Sequence, residues 1–360
     1  MEGIEREHHG PALKSLWLAL KNDEPGLRAR DAAARLGVSE AELLAARCGE
    51  GVRRLDGPWQ ELLKEMPKLG TVMVLTRNES AVHEKVGRFD KVSAFRSMGL
   101  VLNHEVDLRL LFNHWHFGFA VTEEAHGAAR HSLQFFDLDG LAVHKIYLRE
   151  ESDAEAYEAV VAKHLHPDQA PRIQVVAAAP APADRPDEAI EREALCQRWQ
   201  ALQDVHDFRD MLIELGVGRL QAFRLVGEDY AWRVGCGSFR QALEQAAAAA
   251  LPIMIFVGSP GVVQIHTGPV AKLKEVGPWF NVLDPGFNLH LRDGDIAEAW
   301  VVRKPTRDGI VTSLEIYDAA GAQIALMFGE RGEGKAERAD WCALVESLPP
   351  QGVPEGTAVQ

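Results

Sequence analysis

Ser132-Leu133-Gln134-Phe135-Phe136-Asp137-Leu138-Asp139-Gly140 and Ser313-Leu314-Glu315-Ile316-Tyr317-Asp318-Ala319-Ala320-Gly321 stand 181 residues apart and read alike. Each is an aromatic and β-branched run closed by Asp and Gly, the pattern of a strand entering a hairpin turn. Working outward at the same offset of 181, Asp107-Leu108-Arg109-Leu110 meets Asn288-Leu289-His290-Leu291. Leu16-Trp17-Leu18-Ala19-Leu20 meets Arg198-Trp199-Gln200-Ala201-Leu202 at 182, and His83 in AVHEKVG meets His266 in QIHTGPV at 183. Matches held at so constant an offset imply a tandem duplication.

Each half reads as a helical layer followed by short strands. Helices are expected over Ala12–Lys21, Ala29–Leu36 and Glu40–Ala46 in the first half, and over Leu195–Leu215 and Phe239–Ala250 in the second. Strands follow from Thr71–Arg77 to Val143–Leu148, and again from Ile253–Val257 to Gln323–Phe328, separated by turn residues. The fold class is therefore α+β, each half a large antiparallel meander packed with helices. The expected domains are an N-terminal repeat over 1–166, a Pro/Ala-rich linker over 167–187, a C-terminal repeat over 188–350 and a tail over 351–360.

Composition limits the functions. The chain has 360 residues, 46% of them hydrophobic, and a formal charge of −14. It is apolar enough to fold, and its field repels nucleic acid and any anionic ligand not met by specific Arg or Lys. The segment Arg30–Leu44 resembles a small helix-turn-helix, but on so acidic a chain a plain helical hairpin is the better reading. Cys48, Cys196, Cys236 and Cys342 form no CxxC pair, so neither a thiolate zinc site nor a disulfide framework is expected. MEGIEREHHGPALK lacks the apolar core of a signal peptide, His8-His9 reads as a flexible terminus, and no long apolar run exists; a cytoplasmic location is expected.

The chain has no P-loop, GxGxxG, HExxH or GxSxG motif. His114-Trp115-His116, if on a strand, turns both rings to one face, but no third ligand is spaced to join them. His206 follows an apolar stripe of Trp199, Leu202, Val205 and Phe208 on an expected helix, which would let its ring face an apolar pocket. The first half carries Glu24 there instead, as a single ligand site would require. Lys304 and Arg331 end strands as cations able to meet a ligand carboxylate.

These segments resemble the bacterial cytoplasmic hemin-degrading factor and heme-transport family, the HemS/HmuS/ChuS/PhuS-like proteins. The resemblance covers nearly the whole chain. It runs through Leu36-Gly-Val-Ser, Arg77-Asn-Glu with His83, Asp107-Leu-Arg109 and His114-Trp115. It continues through Asp204-Val-His206-Asp-Phe208, Pro278-Trp279-Phe-Asn281, Lys304-Pro-Thr, Phe328-Gly-x-Arg331 and Trp341.

The resemblance implies a duplicated α+β fold and heme held in a cleft of the second half. It implies His206 as axial iron ligand, Arg109 on the opposite face, Lys304 and Arg331 as pocket cations, and Phe256 and Phe328 as pocket aromatics. Arg109 would polarise the distal side. Some members cluster several histidines at the ligand position; here His206 stands alone, which weakens a ligand-switching mechanism. His83 matches a family histidine, and a second, weaker heme site there is a further expectation. Two functions share these residues: a heme carrier of the uptake pathway, and an oxygenase-like enzyme opening the macrocycle with an external reductant. The implied partners are heme and either a heme oxygenase or the inner-membrane heme importer. A protein without ligand, serving structure or interaction, is the third reading.

Overall fold

A computed structural model describes residues 10–125, 127–177, 183–332 and 334–351. His8-His9, residues 178–182 of the expected linker and residues 352–360 of the tail lie outside them. The chain forms two units, one of residues 1–77, 84–179 and 259–264, the other of 78–83, 180–258 and 265–360. The two six-residue segments that depart from sequence order, 78–83 and 259–264, are themselves 181 residues apart.

The first half supplies helices α1 (Pro11–Asp23), α2 (Ala29–Leu36), α3 (Glu40–Ala45), α4 (Trp59–Glu65) and α5 (Ala154–Lys163). Its strands are β1 (Val52–Leu55), β2 (Gly70–Arg77), β3 (Ala81–Arg88), β4 (Val92–Phe95), β5 (Met98–Leu102), β6 (Asp107–Leu111), β7 (Phe117–Ala125), β8 (Ala128–Phe136) and β9 (Ala142–Ser152). The second half supplies α6 (Arg192–Gln200), α7 (Asp207–Leu215), α8 (Arg219–Val226), α9 (Ser238–Ala248) and α10 (Ala339–Glu346). Its strands are β10 (Ala231–Val234), β11 (Ile253–Ser259), β12 (Val262–Gly268), β13 (Leu273–Val276), β14 (Trp279–Asp284), β15 (Phe287–Leu291), β16 (Glu298–Thr306), β17 (Gly309–Tyr317) and β18 (Gln323–Gly329). Among the described residues the strands make two nine-stranded sheets, in the orders β1-β7-β8-β9-β2-β3-β15-β14-β13 and β10-β16-β17-β18-β11-β12-β6-β5-β4.

The stretches that opened the argument are β8 and β17 with their turns. Asp137 Oδ1 accepts from Leu141 N at 2.7 Å, and Asp318 Oδ1 accepts from Ala322 N at 2.8 Å. Gly140 and Gly321 take φ of 80° and 78°, the left-handed region that only glycine enters without strain. The pairing register repeats at the same offset. Met73 faces Tyr147 as Met254 faces Phe328, Leu75 faces Lys145 as Phe256 faces Leu326, and Gln134 faces Lys145 as Glu315 faces Leu326.

In unit 2, one face of the meander buries Ile253, Ile255, Val257, Leu314, Ile316 and Met327 against α9 and α10. The other face presents Trp300, Val302 and Tyr317 to α6, α7 and α8, where Trp199, Phe208 and Phe223 cluster. Unit 1 repeats the arrangement, with Phe117, Phe119, Val121 and Phe136 under α3.

Several expectations are corrected. Leu195–Leu215 is not one helical stretch: α6 ends at Gln200 and α7 begins at Asp207. Short or polar elements outside the expected ranges include β1, β10, α4 and α8. Since β3 begins at Ala81 and β12 at Val262, the position matching His83 is Gln264, not His266. In line with the plain helical hairpin preferred for Arg30–Leu44, five of the six residues of α3 are buried, so the segment offers no free recognition helix.

Candidate functional site

The helices of unit 2 cover β10, β16 and β17 on one face of the sheet and leave part of β18 and β11 less covered. Met254, Phe256, Leu326 and Phe328 alternate with fully buried residues and remain half-buried. The register puts all four on one face, and the Phe256 and Phe328 rings meet edge-on at 5.0 Å between centroids. This is an apolar strip two strands wide. The sequence pointed to Phe256 and Phe328; Met254 and Leu326, their neighbours in the same alternation, went unnoticed.

Beside the strip lies a buried ion cluster. Glu315 on β17 is fully buried and receives Arg219 at the start of α8 through both guanidinium NH2 and Nε, at 2.8 to 3.0 Å. Lys304 Nζ donates to the same carboxylate at 2.8 Å, as does the Tyr317 hydroxyl at 2.5 Å. Burial alone would raise the Glu315 pKa; Arg219 and then Lys304 override it and keep the group ionised far below the usual range. Burial pushes the Lys304 ammonium downward, against the pull of Glu315. Lys304 is 4% exposed and lies 4.8 Å from the Phe208 ring centroid. It is therefore not a free cation at a turn, because β16 continues to Thr306 and turns position 304 onto the covered face. Two cations against one carboxylate leave the cluster with a net positive charge.

His206 lies in the connection between α6 and α7, just before the first residue of α7, and its side chain is 85% exposed. The expectation that its ring faces an apolar pocket along a continuous helix is corrected. Trp199 and Phe208 still pack across the break, edge-on at 4.8 Å. Asp204 makes the break: its Oδ1 accepts from His206 N at 2.9 Å and contacts Nδ1 at 2.6 Å. The His206 backbone N–H first, and its ring second, hold the Asp204 carboxyl below its ordinary pKa. The connection is stitched to the β16–β17 hairpin. Trp199 Nε1 donates to Arg303 O at 2.9 Å, and Arg307 N donates to Gln203 O at 3.0 Å. Glu24, which the sequence placed opposite His206 in the first half, ends α1 and is tied to Arg35 at 2.5 and 3.1 Å.

Arg331 is half-buried, three residues beyond Phe328 and at the sheet end where β16 turns into β17. The structure thus brings His206 and Arg307 together at the β16–β17 end of the sheet, the end at which Met254 and Phe328 lie, and Arg331 follows β18 at that same end. Arg109 belongs to unit 1, on β6, where it pairs with Asp107. His83 is fully buried with its ring 5.0 Å from that of Phe287, so it presents no open face for a second heme. His114 ends a one-turn 3-10 helix and His116 precedes β7, so the two do not share a strand face.

Unit 1 fills the equivalent strip differently. Lys145 stands at the position of Leu326 and Arg77 at that of Gly258, and both bind the buried carboxylate of Glu40 on α3. Burial would raise the Glu40 pKa, but Lys145 and Arg77 hold it at about 2. Ile173 and Val175, from the segment expected to be a Pro/Ala-rich linker, pack over the neighbouring core.

The family model for the haemin-degrading HemS/ChuX domain matches twice, over residues 37–164 and 216–348. The hemin transport protein HemS of Yersinia enterocolitica is 42% identical over 329 residues, 90% of this chain and 94% of that protein. The crystal structure of holo-PhuS, a heme-binding protein from Pseudomonas aeruginosa, superposes with a TM-score of 0.93 at 45% identity, covering 95% of this chain and 100% of that one. ChuS, described as a heme degrading enzyme of Escherichia coli O157:H7, gives a TM-score of 0.87 at 38% identity over 94% and 99% of the two chains. Among the described residues no helix is long and apolar enough to cross a membrane.

Proposed function

The chain belongs to the haemin-degrading HemS/ChuX family, and from that premise we propose that it binds heme on the open face of unit 2 and passes it on within a heme-uptake pathway. The observation that carries this reading is the contrast at one pair of equivalent positions: Leu326 leaves the strip apolar, whereas Lys145 ties it to Glu40. Heme is a flat apolar ring with two carboxylates and an iron. Met254, Phe256, Leu326 and Phe328 supply apolar surface for the ring. Arg331 supplies a cation for the carboxylates, and the positive Glu315 cluster offsets locally the charge of −14. His206 supplies an imidazole for the iron. Lys304 acts through Glu315 rather than on the ligand. Arg109 as the distal-side cation rests on the resemblance; Arg109→Ala should leave loading intact and change the spectrum.

The second reading, ring opening with an external reductant, is favoured by the likeness to the heme degrading enzyme ChuS. A carrier needs a recipient, and a heme oxygenase or the inner-membrane importer would be its partner. Loading with one equivalent of hemin, then adding ascorbate with catalase present, separates the readings. A shifted Soret band that persists supports the carrier. A band that decays to a linear tetrapyrrole supports the enzyme. No shifted band on loading overturns both.

A further inference from the structure

We propose that Asp204 is the positioning residue of His206, fixing which ring nitrogen is free, with Arg307 anchoring Asp204; the inference rests on the reading of His206 as the heme ligand. An ionised carboxylate only accepts hydrogen bonds, so the 2.6 Å contact with Asp204 Oδ1 puts the proton of the neutral ring on Nδ1. Nε2 then carries the lone pair and is the nitrogen able to bind a metal.

The same Oδ1 accepts from the backbone N–H of His206 at 2.9 Å, so one atom fixes both main chain and ring. Its partner oxygen, Oδ2, lies 3.6 Å from the Arg307 guanidinium, and Arg307 N donates to Gln203 O. The β16–β17 hairpin thereby holds the carboxylate from the side opposite the imidazole. His206 is 85% exposed, so this polar frame rather than burial does the orienting. A ligating histidine hydrogen-bonded to a carboxylate through its other nitrogen is a stronger donor with a fixed ring plane.

The frame is tested in the free protein first. Long-range 1H–15N spectra at pH 8 report the tautomer of the neutral ring. The wild type is expected to be Nδ1–H, and Asp204→Ala to shift it toward Nε2–H. Asp204→Asn retains an oxygen for the backbone N–H and removes the charge, so it separates ring electronics from the turn. In the heme-loaded protein Asp204→Asn should lower the iron–histidine stretching frequency, raise the reduction potential and weaken hemin binding by roughly tenfold. Arg307→Gln should move each readout in the same direction by less. Wild-type tautomer and stretching frequency in Asp204→Asn and Asp204→Ala would overturn the proposal. His206→Ala is the control for the underlying reading: wild-type loading and spectrum in that variant overturn His206 as ligand, whatever the tautomer spectra of the free protein show.

Discussion

The two copies hold their helices to their sheets with opposite polarity. In unit 1 the first residue of α3 is Glu40, and the sheet supplies the cations Arg77 and Lys145. In unit 2 the first residue of α8 is Arg219, and the sheet supplies the carboxylate Glu315, with Lys304 beside it. The difference decides where the helix end reaches. Glu40 reaches partners on β9 and β2, across the strip; Arg219 reaches β17 and stops short of it. One duplicated scaffold thus keeps one strip tied by charge and leaves the other apolar, and the apolar one is where we propose the ligand to bind.

The comparison breaks most visibly at Glu315. Glu315→Ala leaves the buried Lys304 and the half-buried Arg219 as neighbouring like charges and should cost about 3 kcal/mol in urea unfolding. A loss below about 1 kcal/mol would mean the cluster does not hold α8 to the sheet.

A smaller effect depends on pH and is carried by unit 1. His144 in unit 1 is buried, donates from Nδ1 to Thr76 Oγ1 at 2.9 Å, and has its pKa pushed down by burial to about 3; its counterpart in unit 2 is Ala325. The folded form keeps the ring neutral while the unfolded chain takes up a proton below about 6.5. The contribution of His144 to stability is therefore lost as pH falls from about 6.5 toward 3, at up to about 1.4 kcal/mol per pH unit, while Asp137, raised to about 7 mainly by burial, contributes with the opposite sign. Amide protection factors around β9, corrected for the intrinsic exchange rate at each pH, should fall between pH 6.5 and 5, and His144→Gln should remove that slope. An unchanged slope in His144→Gln would assign the acid sensitivity elsewhere. Glu40 adds its own loss only below about 4.5.

Leu326→Lys sharpens the comparison by giving unit 2 the residue of unit 1. Leu326 faces Glu315 across the strand pair, so the new ammonium should be drawn to that carboxylate and lie over the strip. Hemin affinity should fall about tenfold, about 1.4 kcal/mol, with the circular dichroism unchanged. Wild-type affinity in this variant would place the ligand elsewhere.

The duplication was legible because β8 and β17 preserve both turn chemistry and register. The exchange of 78–83 and 259–264 was not, since the histidines in AVHEKVG and QIHTGPV suggested an offset of 183 where the strands run at 181. Lys304 misled because Lys-Pro-Thr looks like a strand end. Pro305 is tolerated because β10 pairs β16 only as far as Val302, so the missing N–H leaves no ladder bond unmade there. The placement of His206 on a continuous helix is wrong because a period of 3.6 across Trp199, Leu202, Val205 and Phe208 conceals the turn that Asp204 makes. The partners of Glu315 lie 96 and 11 residues away, and no local pattern joins them.

Met73 and Met254 occupy equivalent positions on the two strips and give the most direct test. With the methionine methyls carrying 13C, one equivalent of ferric heme should broaden the Met254 signal beyond detection and leave Met73 sharp. Loss of Met73 first, or of both together, would contradict the assignment of heme to the open strip of unit 2.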